Sequence, residues 1–114
     1  MRFNPYIAAC PTRQLLDRIS GKWVVLILGL LEEEPKRFSE LMRSIDGISQ
    51  KMLTQTLKNL AEDGLVTRRA FPTVPVTVEY KLTKLGKSLN QALLPLHQWA
   101  VDNMSKVLKA REKR

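Results

Sequence analysis

The sequence has one cysteine and one histidine among its 114 residues, and this scarcity excludes several kinds of site. A single cysteine can form no disulfide within the chain and no cysteine-built metal site, although it can react or pair with a second subunit. His97 lacks the ligand-type neighbours of a metal or catalytic centre, and there is no glycine-rich phosphate loop. We therefore expect no enzyme, no metal and no cofactor, with His97 on the surface or at an interface.

Long apolar runs are also missing. The longest covers residues 23–31, whereas a membrane-spanning helix needs about 18 apolar residues or more. The start, MRFNPYIAAC, lacks the basic-then-apolar layout of a secretory signal. We expect a cytoplasmic protein without a membrane partner, built as a single domain over residues 1–114.

Acidic residues are scarce relative to basic ones. The 19 Lys and Arg residues against 11 Asp and Glu give a net charge of +8 and a pI near 10.0, which attracts polyanions. Part of the excess lies in the tail KVLKAREKR, where it could serve only to solvate a helix end. No helix combines a basic face with an exposed aromatic one, so the charge favours nucleic acid over a membrane surface.

What is present is a set of helical patterns around one hairpin. Apolar spacing and caps predict helices over residues 11–20 and 22–34, a third from Ser39, and a fourth from about residue 50 to 63 after a turn at residues 46–47. Two strands, 65–71 and 76–82, are joined by PTVP. A long helix over 83–110 follows, capped by Thr83, which Pro95 should kink or interrupt. This order predicts a mainly α fold with a small antiparallel β-hairpin, a winged helix-turn-helix.

The fourth predicted helix, ISQKMLTQTLKNL, has an unusual polar side. With Leu53 towards the core, Leu57 and Leu60 lie within about 40 degrees of it, and the polar residues lie opposite. No acidic residue occurs between Gly47 and Ala61, whereas an ordinary solvated face usually pairs Glu with Lys. Because carboxylates would repel phosphates, this acid-free face favours binding to the DNA major groove.

Particular side chains are candidates for each kind of DNA contact. We expect base readout from Gln50, Lys51, Thr54 and Gln55, and backbone positioning from Ser49 and Lys58. Further candidates at loop ends and in the wing are Lys22, Arg37, Arg68, Arg69, Thr73 and Thr77. Arg68 and Arg69 could equally be strand-edge charges, and Trp23 is expected in the core.

The chain resembles the HxlR-type family of bacterial winged helix-turn-helix transcription regulators, relatives of the MarR type. The resemblance rests on Cys10-Pro11 followed by GKWVVLIL, RFSELMRSIDGISQKMLTQTLKNL, EDGLVTR, VPVTVEYKLT and LPLHQWA. It implies a dimeric DNA-binding regulator, most often a repressor, with ISQKMLTQ as recognition helix and FPTVPVTVEY as wing. In the wing, Thr77 replaces a residue that is commonly basic in this family and Val76 replaces a common proline, so the wing should bind DNA more weakly than usual. Asp46 replaces a proline in the turn, with little expected effect.

The final helix carries an apolar stripe that needs a second surface to bury it. We expect a homodimer whose recognition helices lie about 34 Å apart on a pseudo-palindromic operator. The predicted interface comprises Leu15, Leu16, Ile19, Leu89, Leu93, Leu96, Trp99, Ala100 and Met104. We expect the first three to form the inward stripe of the first helix.

Cys10 precedes the first helix, where the helix dipole and Arg13 favour the thiolate. Some members of the resembled family sense oxidants or electrophiles through a cysteine at this position, which makes Cys10 a redox-sensing candidate. The alternative is an inert thiol buried at the dimer interface. For the whole protein, the alternative to DNA binding is a winged helix whose basic face meets an acidic protein partner.

Overall fold

The computed structural model describes residues 3–113, which form five α-helices and one antiparallel sheet of three strands. The chain order is α1 (Pro11–Ile19), α2 (Lys22–Glu33), β1 (Lys36–Arg37), α3 (Phe38–Ser44), α4 (Gln50–Glu62), β2 (Val66–Phe71), β3 (Thr77–Leu82) and α5 (Lys84–Glu112). This confirms the mainly helical winged architecture that the spacing of apolar and turn residues predicts.

Helix α2 is the centre of the core. Its sequence is apolar on nearly every side, and Val24, Ile27, Leu28 and Leu31 are buried among residues from α3, α4 and the sheet. A helix with so little polar surface is stable only when other elements cover it. The first half of α5 packs along α2 and provides part of that cover.

Helices α3 and α4 are joined by a tight turn. Gly47 has φ of 85°, a conformation that glycine adopts at little cost. The Ser49 hydroxyl then accepts a hydrogen bond from the Met52 N–H at 3.0 Å, which caps α4 as predicted. Gly64, with φ of 75°, follows the end of α4.

The sheet contains one strand more than the sequence predicts. Besides the β2–β3 hairpin, β1 pairs with β3, placing Lys36 opposite Tyr80 and Arg37 opposite Glu79. Both predicted strands are present, and only the additional strand β1 was missed, because a strand of two residues has no periodicity. Tyr80 and Leu82 of β3 are buried, whereas Val76 precedes the strand and is 66% exposed.

Helix α1 contributes little to the core of its own chain. Leu15 and Leu16 are exposed, and within this helix only Ile19 packs against the core cluster. The prediction of an inward stripe was therefore wrong for the two leucines in the single chain. The helical spacing is present, but of the three apolar residues only Ile19 reaches the core formed by residues 3–113.

A junction near Thr83 fixes three elements together. The Thr83 hydroxyl donates to the Gly64 carbonyl at 2.6 Å and accepts from the Gly86 N–H at 3.0 Å. The Thr83 N–H donates to the Leu65 carbonyl at 3.1 Å. Gly86 lies so close to that carbonyl that a Cβ atom would overlap it. The end of α4, the start of β2 and the start of α5 therefore share one rigid connection.

Helix α5 differs between its two halves. It runs through Pro95 as one helix, so Pro95 does not interrupt it, and the alternative that Pro95 kinks the helix stays a prediction. Before Pro95, Leu89 and Leu93 pack against the core, whereas Leu96 is 62% and Trp99 59% exposed. Among residues 3–113 no helix is long and apolar enough to cross a membrane.

Candidate nucleic-acid interface

Helix α4 presents its polar side to solvent. Leu53, Thr56, Leu57 and Leu60 are buried. On the other side, the candidate contacts are exposed: Ser49, Gln50, Lys51, Thr54, Gln55 and Lys58. The side-chain amide of Gln55 donates to Asn59 Oδ1 at 3.0 Å, which leaves its carbonyl oxygen directed to other partners.

The far end of α4 is held by a residue that the sequence did not single out. Arg18 of α1 donates from Nε to Asp63 at 2.9 Å and from an Nη atom to the Asn59 carbonyl at 3.1 Å. A second ion pair joins it to Glu62 at 3.3 Å, and the two carboxylates raise the pKa of Arg18. A cation at a helix C-terminus also complements the helix dipole. Arg18 therefore fixes the C-terminal end of α4, which follows the acid-free face along the chain.

A cleft of about 640 Å³ lies between α4, the start of α3 and the wing. Its walls bring together five predicted contacts from four parts of the chain: Arg37, Gln50, Thr54, Arg68 and Thr77. The strand β1, absent from the prediction, places Arg37 beside β3. The Arg37 N–H also donates to Glu40 at 2.8 Å, which begins α3 at this point.

Among residues 3–113, the cations around this cleft form no ion pair of 4.0 Å or less, although Glu79 lies opposite Arg37 and Arg69 in the sheet register. Within residues 3–113, ion pairs of 4.0 Å or less join Arg18 to Glu62 and Asp63, and Lys36 to Glu33 and Glu34. None involves the candidate cations Lys22, Arg37, Lys51, Lys58, Arg68 or Arg69. Their charge is therefore available to an external anion such as phosphate.

Several candidate residues make contacts within the chain. The Thr73 hydroxyl lies 2.9 Å from that of Thr77 and donates to the Pro75 carbonyl at 2.8 Å, so these hydroxyls also stabilise the wing tip. The Arg69 guanidinium lies 4.8 Å from the Phe71 ring centre. Lys22 Nζ lies 4.6 Å from the ring of Trp23, which packs against the core as expected.

Cys10 is the N-cap residue of α1 and is 8% exposed. Burial raises the pKa of its thiol, but the backbone N–H groups of Thr12 and Arg13 and the Thr12 hydroxyl lower it by more. The net pKa lies below the ordinary value of 9.0. At neutral pH a larger fraction of such a thiol is present as thiolate than of an unperturbed one.

Together, the tight turn before α4, the exposed polar face and the hairpin beside it define a winged helix-turn-helix DNA-binding protein. The sequence model of the HxlR-like helix-turn-helix family matches residues 18–108. The chain belongs to this family, whose members are transcriptional regulators and not enzymes.

Known proteins of similar sequence and structure carry the same assignment. The chain is 42% identical over 111 residues to the HTH-type transcriptional regulator YtfH of Escherichia coli (strain K12), covering 97% of this chain and 88% of that protein. The transcriptional regulator YtfH of Salmonella typhimurium superposes with a TM-score of 0.92 at 40% identity, over 96% of this chain and 98% of that one. The redox regulator HypR in its oxidised form superposes at 0.75 with 38% identity, over 82% and 97% respectively.

Proposed function

We propose that this protein is a cytoplasmic, homodimeric repressor that recognises a pseudo-palindromic DNA operator. The whole chain of residues 1–114 acts as one domain, with residues 11–20 and 83–110 contributing to the dimer interface. Gln50, Lys51, Thr54 and Gln55 read bases, while Ser49 and Lys58 bind the DNA backbone. Lys22, Arg37, Arg68 and Arg69 add phosphate contacts, and Thr73 and Thr77 meet the duplex from the wing.

The observation that carries this proposal is the exposed, acid-free face of α4. Lys51 and Lys58 on this face, and Arg37 and Arg68 beside it, form no ion pair of 4.0 Å or less with any carboxylate of residues 3–113. Unpaired cations with amide and hydroxyl groups between them are what phosphates and base edges require. The neighbouring cleft adds an arginine from β1 and one from β2.

The second half of α5 supports the dimer. Leu96, Trp99, Val101, Met104 and Leu108 are exposed large apolar side chains on this part of the helix. Leu15 and Leu16 of α1 are likewise exposed. A concentration of exposed large apolar side chains on two helices is typical of interaction sites in small proteins. A second copy of the chain would bury it.

The test is a titration of the full-length protein with labelled DNA. An operator is first selected by footprinting on the DNA upstream of the gene, and its affinity is compared with that of a shuffled duplex. We expect a clear preference for the operator and a logarithmic salt slope of about 0.9 per phosphate contacted. Equal affinity for both duplexes would contradict sequence-specific binding, and would favour an acidic protein partner for the same face.

Cys10 makes the repressor responsive to oxidants or electrophiles in this proposal. Its support is the lowered pKa of the thiol and the likeness to a protein described as a redox regulator, HypR. Because the pKa is lowered, the rate of alkylation should reach half its maximum below pH 9.0 in the folded protein. In the urea-unfolded chain the midpoint should return towards the ordinary value.

The functional control for the thiol is Cys10→Ser. Treatment with a thiol-specific electrophile should change the operator affinity of the unmodified sequence and leave the Cys10→Ser variant unaffected. Operator affinity that stays constant while mass spectrometry shows full modification would mean that the thiol is inert.

A further inference from the structure

Arg18 connects α1 to α4, the proposed recognition helix. Its guanidinium donates to three acceptors at the end of α4: the Asn59 carbonyl at 3.1 Å, Glu62 at 3.3 Å and Asp63 at 2.9 Å. Among residues 3–113, every side-chain hydrogen bond between α1 and another helix comes from Arg18. A single side chain therefore makes the polar connection between these two helices.

Packing contributes little to the alignment of α1 with α4. No residue of α1 is buried, and within this helix only Ile19 packs against the core. A cleft of about 170 Å³ remains between α1, α2 and α4, with Arg18, Asn59 and Asp63 in its lining. Close packing of side chains normally fixes the angle between two helices, and here that packing is incomplete. Arg18 supplies the constraint instead.

The start of α5 is attached to the same end of α4. The Thr83 hydroxyl donates to the Gly64 carbonyl at 2.6 Å, just after α4 ends. Helices α1 and α5 also expose the large apolar residues that we assign to the dimer interface, among them Leu16 and Trp99. Both proposed interface helices therefore hold α4 by its C-terminal end, and a movement at the interface would reach α4 through these two contacts.

The length of α4 amplifies any change of angle at this end. From Asp63 back to Gln50 the helix rises about 20 Å, so a rotation of about 10 degrees at the C-terminal end shifts Gln50 by about 3 Å. This displacement is close to the spacing of base pairs, about 3.4 Å. We infer that Arg18 is a positioning residue that sets the angle of α4 relative to the dimer interface, and so determines which half-site spacing the dimer accepts. The inference rests on the proposed binding of a dimer to paired half-sites.

The strength of the Arg18 contact limits the size of the effect. The side chains of Arg18 and Glu62 are 37% and 54% exposed, and ion pairs at the surface contribute little to stability. The guanidinium is nevertheless planar and forked, so its donors restrict the direction of the contact as well as its distance. We therefore expect Arg18 to change the selectivity for half-site spacing by a small factor, and to leave the affinity for one half-site unchanged.

The test compares operators whose two half-sites are separated by the footprinted distance, by one base pair more and by one base pair less. The full-length protein is titrated with each duplex and with a single half-site. Arg18→Ala should lower the preference for the footprinted spacing about 2- to 5-fold and leave the affinity for the single half-site unchanged. The matched control is Arg13→Ala, which removes an exposed cation of α1 that forms no ion pair within residues 3–113. This variant should keep the original preference.

Two further variants separate the contact itself from a general change in charge or folding. Asp63→Ala removes one acceptor of Arg18 and should weaken the spacing preference in the same direction. Because both changes act on one contact, the double variant Arg18→Ala/Asp63→Ala should lose no more than Arg18→Ala alone. Arg18→Lys keeps the charge and should give an intermediate preference. Thermal unfolding checks that each variant is folded, and Arg18→Lys decides the question if Arg18→Ala is not.

Amide hydrogen exchange measures the contact without DNA. In the free protein, Arg18→Ala should speed exchange at Asp63 and Gly64, whose N–H groups donate to carbonyls in the last turn of α4, and should leave exchange in α2 unchanged. Faster exchange with an unchanged spacing preference would make Arg18 purely structural and overturn the inference, as would an equal loss of preference in Arg13→Ala. A monomeric protein, or one without operator preference, would instead contradict the proposed function and the inference together.

Discussion

Two helices of this protein expose one side to solvent, and the two exposed sides are opposite in character. The exposed side of α4 carries Gln50, Lys51, Thr54, Gln55 and Lys58, with no large apolar group among them. The second half of α5 exposes Leu96, Trp99, Val101 and Met104, which are distributed around much of the helix. Helix α4 packs its other side against the core, whereas α5 contacts the core before Pro95, through Leu89 and Leu93.

The chemical character of each exposed surface indicates which kind of partner the helix binds. Apolar surface gains free energy when any complementary apolar surface covers it, which suits a second protein chain. A polar surface free of carboxylates gains little from such burial but pairs well with a polyanion. We therefore assign the α4 side to DNA and the α5 side to a second copy of the chain.

The largest expected effect comes from charging the apolar side. Trp99→Asp would place a carboxylate in the proposed dimer interface, and we expect a monomer by sedimentation. Because one subunit can then hold only one half-site, operator affinity should fall by about 10²- to 10⁴-fold. Ser88→Asp, an exposed polar position in the first half of the same helix, is the matched control and should stay dimeric. A dimeric Trp99→Asp variant would contradict the assignment of this side.

The next effect concerns base recognition by α4. Lys51→Ala and Gln55→Ala should each lower the preference for the operator over shuffled DNA by roughly 1–3 kcal/mol, as expected for a bidentate base contact. Lys87→Ala removes an exposed cation from α5 and should leave the preference unchanged. An equal loss on both duplexes would mean that Lys51 or Gln55 binds only the DNA backbone.

A smaller and uniform effect is expected at Lys58. Its replacement by alanine should weaken operator and shuffled DNA by the same factor, because a phosphate contact carries no sequence information. The logarithmic salt slope should fall by about 0.9, which corresponds to one phosphate. Fluorescence anisotropy across a series of salt concentrations gives both values. A loss confined to the operator would instead make Lys58 a base-reading residue.

The smallest effect is expected at Arg18, which binds the C-terminal end of α4. Arg18→Ala removes the ion pairs to Glu62 and Asp63 and the hydrogen bond to the Asn59 carbonyl. We expect a lower melting temperature at low salt, less so at high salt, because the pairs are at the surface. Arg18→Lys keeps the charge without the forked donors, so its melting temperature should lie between those of the unmodified protein and Arg18→Ala. Identical melting curves for all three proteins would show that the anchor has no energetic role.

The sequence was sufficient for features that depend on neighbours along the chain. The apolar repeat of α2 and α4, the Ser49 and Thr83 caps and the glycines at 47 and 64 all act over a few residues, and the structure has each of them. The resemblance of the motifs to the HxlR type is confirmed by the family match. The exposed polar side of α4 also follows directly from helical spacing.

Features that depend on distant parts of the chain could not be read in this way. Strand β1 exists because Lys36 and Arg37 meet β3, some forty residues later. Arg18 reaches Asp63 across 45 positions, and no local pattern marks it. Leu15 and Leu16 have the spacing of core residues, but spacing does not specify whether the same chain or another one covers them.

The junction around Thr83 links the two contrasted helices mechanically. Helix α5 starts where the end of α4 and the start of β2 are hydrogen-bonded to it. In the proposed dimer, the paired α5 helices would therefore act as a hinge, and each α4 would move together with its own α5. A small rotation between the two α5 helices would then produce a larger displacement of the two α4 helices along the duplex. The distance between the two operator half-sites would thus be set by the contact between the α5 helices, at the end of the molecule farthest from the bases.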